Sequence, residues 1–439
     1  MKSATVAWAL FLFAASQARA DELTMIRLGG TPAEVGQTWG RINKRAIACE
    51  IDVHFLQKAA AAKLSPQTLI DRSQAFIGIV EELAPHWLEE SRAAARAAGV
   101  SEDQYIALIA GGPRNLFLHE CTSYAVSGDL AGGAILFHKN RDNVEKEQSA
   151  FVLTSSVPGV NKFIAVSDAS MIGCSMMVNE KGLAASADYP VDLTRKEDPS
   201  ALCPEAAPPR YRGMMNSSLL RYIAEKAANC KEALEIIEAF VNKGYYAGGD
   251  VNGTHWLFVD REGTILEVSN NASHVVSRVH SQKVYFSRLE SSAAARKLRE
   301  TGSPLDFQRF HSVSRNPSIC FGSSISGMTV EIDPAHPDRL TCAWISLPAR
   351  GISFPLLMAQ AKTPTCLLNG EAYLLGRKIK DRTPLWESVE QAAHSSKELL
   401  KESLLATDSG GHAAPLADRA ERWSRQQAEM LVEILRPVR

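Results

Sequence analysis

Four pairs of short apolar runs, each joined across a turn, limit what this chain can fold into more than any other feature. "TSYAVS" turns through "GDLAGG" into "AILFHK", and "CSMMV" turns through "NEKG" into "LAASADY". "HWLFV" turns through "DREG" into "TILEVS", and "SGMTVEI" turns through "DPAHPDR" into "LTCAWIS". Gly, Asn, Asp and Pro supply the backbone angles that hairpin turns need, and the flanking runs are rich in residues that favour a pleated surface. Such units build antiparallel sheets and argue against strand–helix–strand crossovers.

The residues before the first hairpin follow a different period. "TPAEVGQTWGRINKRAIACEIDVHFLQKAAAAK", "SPQTLIDRSQAFIGIVEELAPHWLEESRAAARAAG" and "SEDQYIALIAGG" each open on a Ser or Thr cap and carry apolar residues at helical spacing. Pro85 interrupts the second, and Gly111 with Gly112 closes the third. Further helices are expected at "NSSLLRYIAEKAANCKEALEIIEAFVNKG", at "SSAAARKLRETG" and in a C-terminal pair, "LWESVEQAAHSSKELLKESLL" and "LADRAERWSRQQAEMLVEIL". Sheets covered by helices make an α+β layered fold. "KEDPSALCPEAAPP" reads as a proline-rich loop, and "TDSGGHAAP" as a flexible link before the last helix.

With 45% hydrophobic and 22% charged residues and a formal net charge of -1, the chain carries no basic block that would track a nucleic acid or an anionic membrane surface. No stretch reaches the length of a membrane helix. Residues 1–20 combine Lys2, the apolar run "VAWALFLFAA" and a small-x-small "ARA", which is the layout of a cleaved signal peptide. The expected location is therefore periplasmic or secreted. The chain holds eight cysteines, Cys49, Cys121, Cys174, Cys203, Cys230, Cys320, Cys342 and Cys366, with no CxxC and no zinc-like pairing with histidine. The eleven histidines are scattered singly, so neither a metal nor a cofactor is expected. Dinucleotide, P-loop, zincin and serine-elbow motifs are absent from the sequence.

Cys121 stands where the helical segment gives way to the hairpins. Alternation puts it on one strand face with Ser123, Ala125 and Ser127, and puts Thr122, Tyr124 and Val126 on the other. Taken alone, a thiol at a strand start is more often a small buried side chain than a nucleophile. A nucleophile needs a base, and no histidine stands in a Cys–His signature nearby. Scission of the bond before Cys121 would supply one, because a freed α-amine has a pKa of about 7.7 to 8.0 and sits beside its own thiol.

Four pieces of the chain resemble the N-terminal nucleophile cysteine hydrolases, most closely the isopenicillin N acyltransferase-like (acyl-coenzyme A:6-aminopenicillanic acid acyltransferase) family, with a fainter likeness to choloylglycine hydrolases. They are "GGTPAEVGQTWG" with "AGVSEDQYIALIA", "ECTSYAVSG" with "GGAILFHKNRD", "VNEKGLAASADYP", and "THWLFVDREGTILEVS". "NPSIC" and "MTVEIDP" add weaker matches, and the resemblance spans roughly residues 28 to 350. It implies a four-layer αββα sandwich and autocatalytic cleavage between Glu120 and Cys121. The chain would then divide into a signal peptide (1–20), a helical pro-segment (21–120) and a catalytic region (121–439), the last two forming an α/β heterodimer of its own fragments.

The resemblance makes Cys121 the nucleophile, Asp142 the acceptor for the new amine, and Lys139 the cation beside the thiol, where choloylglycine hydrolases carry arginine. It puts Asp188 of "ADYP" where those enzymes have an oxyanion-donating asparagine, and Arg288 where a second family asparagine falls. Tyr124, Asn140, Arg141 and His255 are the expected substrate contacts, His255 being equally readable as structural. The implied activity is hydrolysis or transfer at a linear amide of a small acyl-amine through an acyl-thiol intermediate. The alternative is a degenerate, unprocessed relative that binds such a ligand without turning it over, a reading that Asp188 and the Phe321 following "SIC" both favour.

Overall fold

The computed structural model describes residues 24–111, 121–143, 146–188, 202, 213–247, 253–280, 284–287, 292–300, 305–360, 363–378, 383–408 and 414–436. The signal-peptide segment, Glu120, Arg288 and nearly all of the proline-rich loop lie outside these residues, as do residues 409–413 of the expected link.

The chain enters through β1 (Thr24–Gly30) and a set of helices: α1 (Pro32–Ile42), α2 (Lys44–Ile51), α3 (Pro66–Leu83), α4 (His86–Ala98) and α5 (Glu102–Ile109). The caps are those the sequence announces. Thr31 forms a reciprocal capping box with Glu34, while Ser65 and Ser101 accept from the backbone of Thr68 and Gln104. Gly99 ends α4 in the left-handed conformation at φ 74°. Within α1, Gly36 and Gly40 allow the backbone to lie against α4. A Cβ at either would stand 2.0 Å from Glu90 O or 2.1 Å from Ala94 O, closer than any real contact.

The hairpin strands then follow: β2 (Thr122–Val126), β3 (Ile135–Asp142), β4 (Gln148–Ser155), β5 (Phe163–Asp168), β6 (Met176–Asn179) and β7 (Ala184–Asp188). After α6 (Asn216–Lys226) and α7 (Cys230–Asn242) come β8 (Thr254–Val259), β9 (Ile265–Asn270), β10 (Val275–His280) and β11 (Tyr285–Phe286). Helices α8 (Ala293–Arg299) and α9 (Phe307–Val313) lead to β12 (Ser324–Ile332), β13 (Cys342–Ser346) and β14 (Ser353–Leu357), and α10 (Thr383–Asp408) and α11 (Ala414–Leu435) close the described chain.

The strands form two sheets. An eight-stranded sheet runs β1-β4-β5-β6-β7-β8-β9-β10, and a six-stranded one runs β11-β2-β3-β12-β13-β14. All four hairpins expected from the turns are present and antiparallel, as β2–β3, β6–β7, β8–β9 and β12–β13. One pairing was not expected in the mainly helical leading segment: β1 joins the larger sheet parallel to β4, from Thr24↔Ser149 to Gly30↔Ser155.

Three apolar layers hold four structural ones. The helices of the leading segment, with α6 and α7, bury Trp39, Phe76, Trp87 and Ile223 against Phe151, Phe163 and Trp256 of the larger sheet. Between the sheets, Val152, Ile164 and Val178 meet Phe137, Met328 and Ile345. On the far side, Tyr124, Leu136 and Trp344 are covered by Leu298, Phe310 and Trp423 of the later helices. This is the helix–sheet–sheet–helix order that the hairpins and helical stretches imply.

Candidate active site

Between the sheets, apolar filling stops at one end of β2 and β3 and polar groups take over. Strand β2 pairs with β3 through Thr122↔Asn140 and Ser123↔Lys139, so Cys121, one residue earlier, stands opposite Arg141. Ser123 and Lys139 face the larger sheet, and alternation puts Cys121 and Arg141 on the same inner face.

Lys139 crosses to the larger sheet with only 1% of its side chain exposed. Its Nζ donates to the carbonyls of Ser175 at 2.9 Å and Ala187 at 2.6 Å and lies 3.0 Å from Asp188 Oδ1. The ammonium is thus held by two carbonyl hydrogen bonds and by the charge of Asp188. The other oxygen of Asp188 accepts from Ser123 Oγ at 2.5 Å and from Ser287 Oγ at 3.4 Å. Ser287 Oγ in turn accepts from the backbone N–H of Ser123 at 2.7 Å. Asp188 is thus a buried acceptor of several bonds, neutralised by Lys139; it is not placed as a donor.

Burial pushes the Cys121 thiol up; Lys139 draws it down, and the carboxylates of Asp188 and Asp142 push it up again. The net direction is upward, while the backbone N–H of Asp142 favours the thiolate. Asp142 Oδ1 accepts from Ser324 Oγ of the neighbouring strand, which fixes the carboxylate at the end of β3. Arg141 reaches back to β4 and β5. Its Nη1 donates to Gln148 Oε1 at 2.6 Å and Asp168 Oδ1 at 2.8 Å, and Gln148 Nε2 also donates to Asp168 at 2.8 Å. Against the cost of burial, Arg141 first and Lys146 second hold the Asp168 carboxyl well below its usual range.

The expected substrate contacts separate. Arg141 is on the inner face. Tyr124 is not: its ring is fully buried on the outer face, stacked on Phe286, and its hydroxyl donates to Phe310 O at 3.2 Å. Asn140 shares that outer face and spends its amide N–H groups on Ser314 O and Ile319 O, while accepting from or facing His138 at Oδ1. Strand alternation imposes both placements, because each residue stands one step from an inner-facing neighbour. His255 pairs in register with Asp188 on β8, its ring nitrogens 2.8 Å from Ser269 Oγ and 2.9 Å from Tyr285 Oη, so it belongs to the wall beside the ion pair.

Ser123, Ser287, Gln148 and Asp168 are members of the site that the sequence did not single out. Ser123 was within reach, since alternation already puts it on the thiol's face. The seven described cysteines are all free thiols. Among the described residues, Glu331, His394 and Glu398 form the cluster whose ligand atoms converge. Lys397 Nζ already stands there, 2.5 Å from Glu331 and 2.6 Å from Glu398, and supplies the positive charge.

Residues 130–288 match the family of the acyl-coenzyme A:6-aminopenicillanic acid acyl-transferase. The matched region covers roughly a third of the chain and runs from the turn of the β2–β3 hairpin through β11 and on to Arg288. No curated protein sequence matches the chain. Among solved structures, it is similar to a Caenorhabditis elegans ortholog of N-acylethanolamine-hydrolyzing acid amidase, at 14% identity over 50% of this chain and 94% of that one, with a TM-score of 0.35. Penicillin V acylase from Agrobacterium tumefaciens gives 14% identity over 54% and 86% with a TM-score of 0.37, and a conjugated bile acid hydrolase from Clostridium perfringens gives 12% over 55% and 94% with a TM-score of 0.34. The acyl-transferase match takes in Lys139, Arg141, Asp142, Asp188 and His255, and begins nine residues after Cys121.

Proposed function

We propose that this chain is an exported, self-processing cysteine amidohydrolase or acyltransferase that cleaves a linear amide of a small acyl-amine through a thioester on Cys121. The observation that carries this reading is the position of the thiol: on the inner face, at the head of β2, opposite Arg141 and beside the Lys139–Asp188 pair. A buried thiol with a raised pKa is a poor nucleophile until a base takes its proton. Lys139 is not that base, since it donates to Ser175 O and Ala187 O and serves as the cation paired with Asp188. The α-amine of Cys121 itself becomes available once the preceding bond is cut.

In the first event the Cys121 sulfur attacks the carbonyl carbon of Glu120, the C–N bond breaks, and the Cys121 nitrogen keeps the electron pair and gains a proton. Water hydrolyses the resulting thioester, leaving the Glu120 carboxylate and a free thiol. In the later cycle the α-amine takes the thiol proton as sulfur bonds to a substrate carbonyl. It returns that proton to the leaving nitrogen when the amide C–N bond breaks. Water gives hydrolysis, and an acceptor amine gives transfer. Asp142, held by Ser324, is the acceptor that orients the amine. The localisation, periplasmic or secreted, rests on the leading twenty residues.

The test is to trap the intermediate. Short incubation with a panel of acyl-amides, followed by acid quench and peptide mass mapping, should find an acyl group on Cys121 and nowhere else. The Cys121→Ala chain should release no amine from any member of the panel. Amine release by that variant would refute the assignment. Asp188 sustains a second reading, a ligand-binding relative without turnover. Saturable binding with no acyl-Cys121 would favour it.

A further inference from the structure

Among the described residues, the side chains of the inner face other than Arg141 offer no obvious donor for the oxyanion that any acyl transfer to Cys121 must generate. Asp188 only accepts, Ser123 and Ser287 donate to Asp188, and Lys139 is tied to the larger sheet by two carbonyls and its ion pair with Asp188. Asn140, between Lys139 and Arg141 on β3, faces the other side of the sheet and spends its N–H groups on Ser314 O and Ile319 O. Of the two cations that β3 places on this face, Lys139 is held across the sheets by Ser175, Ala187 and Asp188, whereas Arg141 keeps three N–H groups without an acceptor among the described residues.

A guanidinium carries five N–H donors in a rigid fork. Both protons of Nη1 are used, on Gln148 and Asp168. Those two acceptors anchor one corner of the fork, and Asp168 is itself braced by Gln148 Nε2 at 2.8 Å and by Lys146 at 3.7 Å. Nε and Nη2 remain, with three N–H bonds, on a side chain only 12% exposed. Continuing the register one residue past Thr122↔Asn140 sets that side chain across from Cys121, whose charge Arg141 feels. A preorganised, largely buried donor beside the nucleophile is what stabilises an oxyanion most, because no reorganisation is needed when charge develops.

We infer that Arg141 is a catalytic residue whose Nε and Nη2 hydrogen-bond the carbonyl oxygen as it becomes an oxyanion during attack by Cys121, in the role that Asp188 cannot fill. The inference rests on Cys121 being the nucleophile. As the Sγ–C bond forms, the carbonyl π pair moves to oxygen and the thiol proton to the α-amine. When the tetrahedral species collapses, the pair returns and the leaving group departs with its electrons. Arg141 neither gains nor loses a proton.

Two neutral reagents separate this role from others. Iodoacetamide alkylates Cys121 by displacement, with no oxyanion, whereas p-nitrophenyl acetate acylates it through one. In Arg141→Gln, acylation measured by the p-nitrophenolate burst should fall about 10²- to 10³-fold, while alkylation of Cys121 changes less than a few-fold. Arg141→Lys keeps a charge for Asp168 but offers fewer, less rigid donors, and should fall between, so that a misfolded Gln variant does not stop the test. Equal slowing of both reactions would show that Arg141 acts on the thiol or on folding and would overturn the inference. Unchanged acylation would overturn it as well. A wild-type Cys121 that is alkylated but never acylated would refute the nucleophile reading itself, and this inference with it.

Discussion

Lys139 and Asp188 are 49 positions apart in sequence and meet at 3.0 Å with almost no solvent on either. Nothing in a linear reading pairs them: Lys139 looks like a strand-end charge, and Asp188 looks like a departure from a family asparagine. The structure makes them one unit. Removing one partner leaves a buried charge alone, so Lys139→Met should cost about 3–5 kcal/mol in urea unfolding, and the double variant Lys139→Met/Asp188→Leu should recover most of it. If the double variant is as unstable as the sum of the singles, the pair is not an isolated ion pair. Tyr124 is the opposite case, an expected substrate contact whose ring belongs to the outer core. Tyr124→Phe should lose only the bond to Phe310 O, about 0.5–1.5 kcal/mol, and should leave acylation of Cys121 unchanged. A large drop in acylation would return Tyr124 to the site. Alternation made this legible, since Tyr124 and Cys121 are an odd number of residues apart, but the family resemblance argued the other way.

The hairpins could be read because each carries its own turn chemistry and period, information local to about fifteen residues. Strand β1 could not. "TMIRLGG" is a strand because β4 lies beside it, and β4 arrives more than a hundred residues later. The C-terminal helices were visible by their spacing, yet what ties them down was not. Glu390 of α10 accepts from Arg315 at 2.5 Å and from the Ser353 backbone at 2.6 Å, and Arg315 lies 3.9 Å over the Trp386 ring. Burial alone would raise the Glu390 carboxyl, but Arg315 and then His311 outweigh it and hold it at about 2. Lys397 and His394 hold Glu331, against burial, at about 2 in the same way. Both carboxyls are depressed below the ordinary value of about 4.3, so their contribution is complete above that value and is lost as pH falls through about 2. The environment of Trp386 should therefore stay native at pH 5 and change between roughly pH 4 and 2, read by tryptophan fluorescence together with proteolysis within α10. Release of α10 above pH 5 would contradict the clamp.

At the scale of the molecule, the leading segment is built into the sandwich. It supplies the β1 edge of the larger sheet and a helical cover whose Glu90 takes both guanidinium arms of Arg221, at 2.5 and 2.8 Å, while Arg221 Nε reaches Glu225 at 2.9 Å. Scission before Cys121 should therefore leave two fragments that co-elute in gel filtration and separate only in denaturant. Arg221→Met, which strands two buried carboxylates, should lower the stability of that assembly by about 3–5 kcal/mol. Fragments that part under native conditions would contradict this. The layered plan was legible because hairpins and helices have distinct periods. The long-range ion pairs that fasten the layers were not, because charge says nothing about its partner until the chain is folded. The measurement that bears most directly on the whole account is the intact mass of the folded protein with N-terminal sequencing. Two pieces, the larger beginning at Cys121 with a free amine, and one uncut chain for Cys121→Ala, are the predicted result. A folded wild-type chain that remains whole would contradict it.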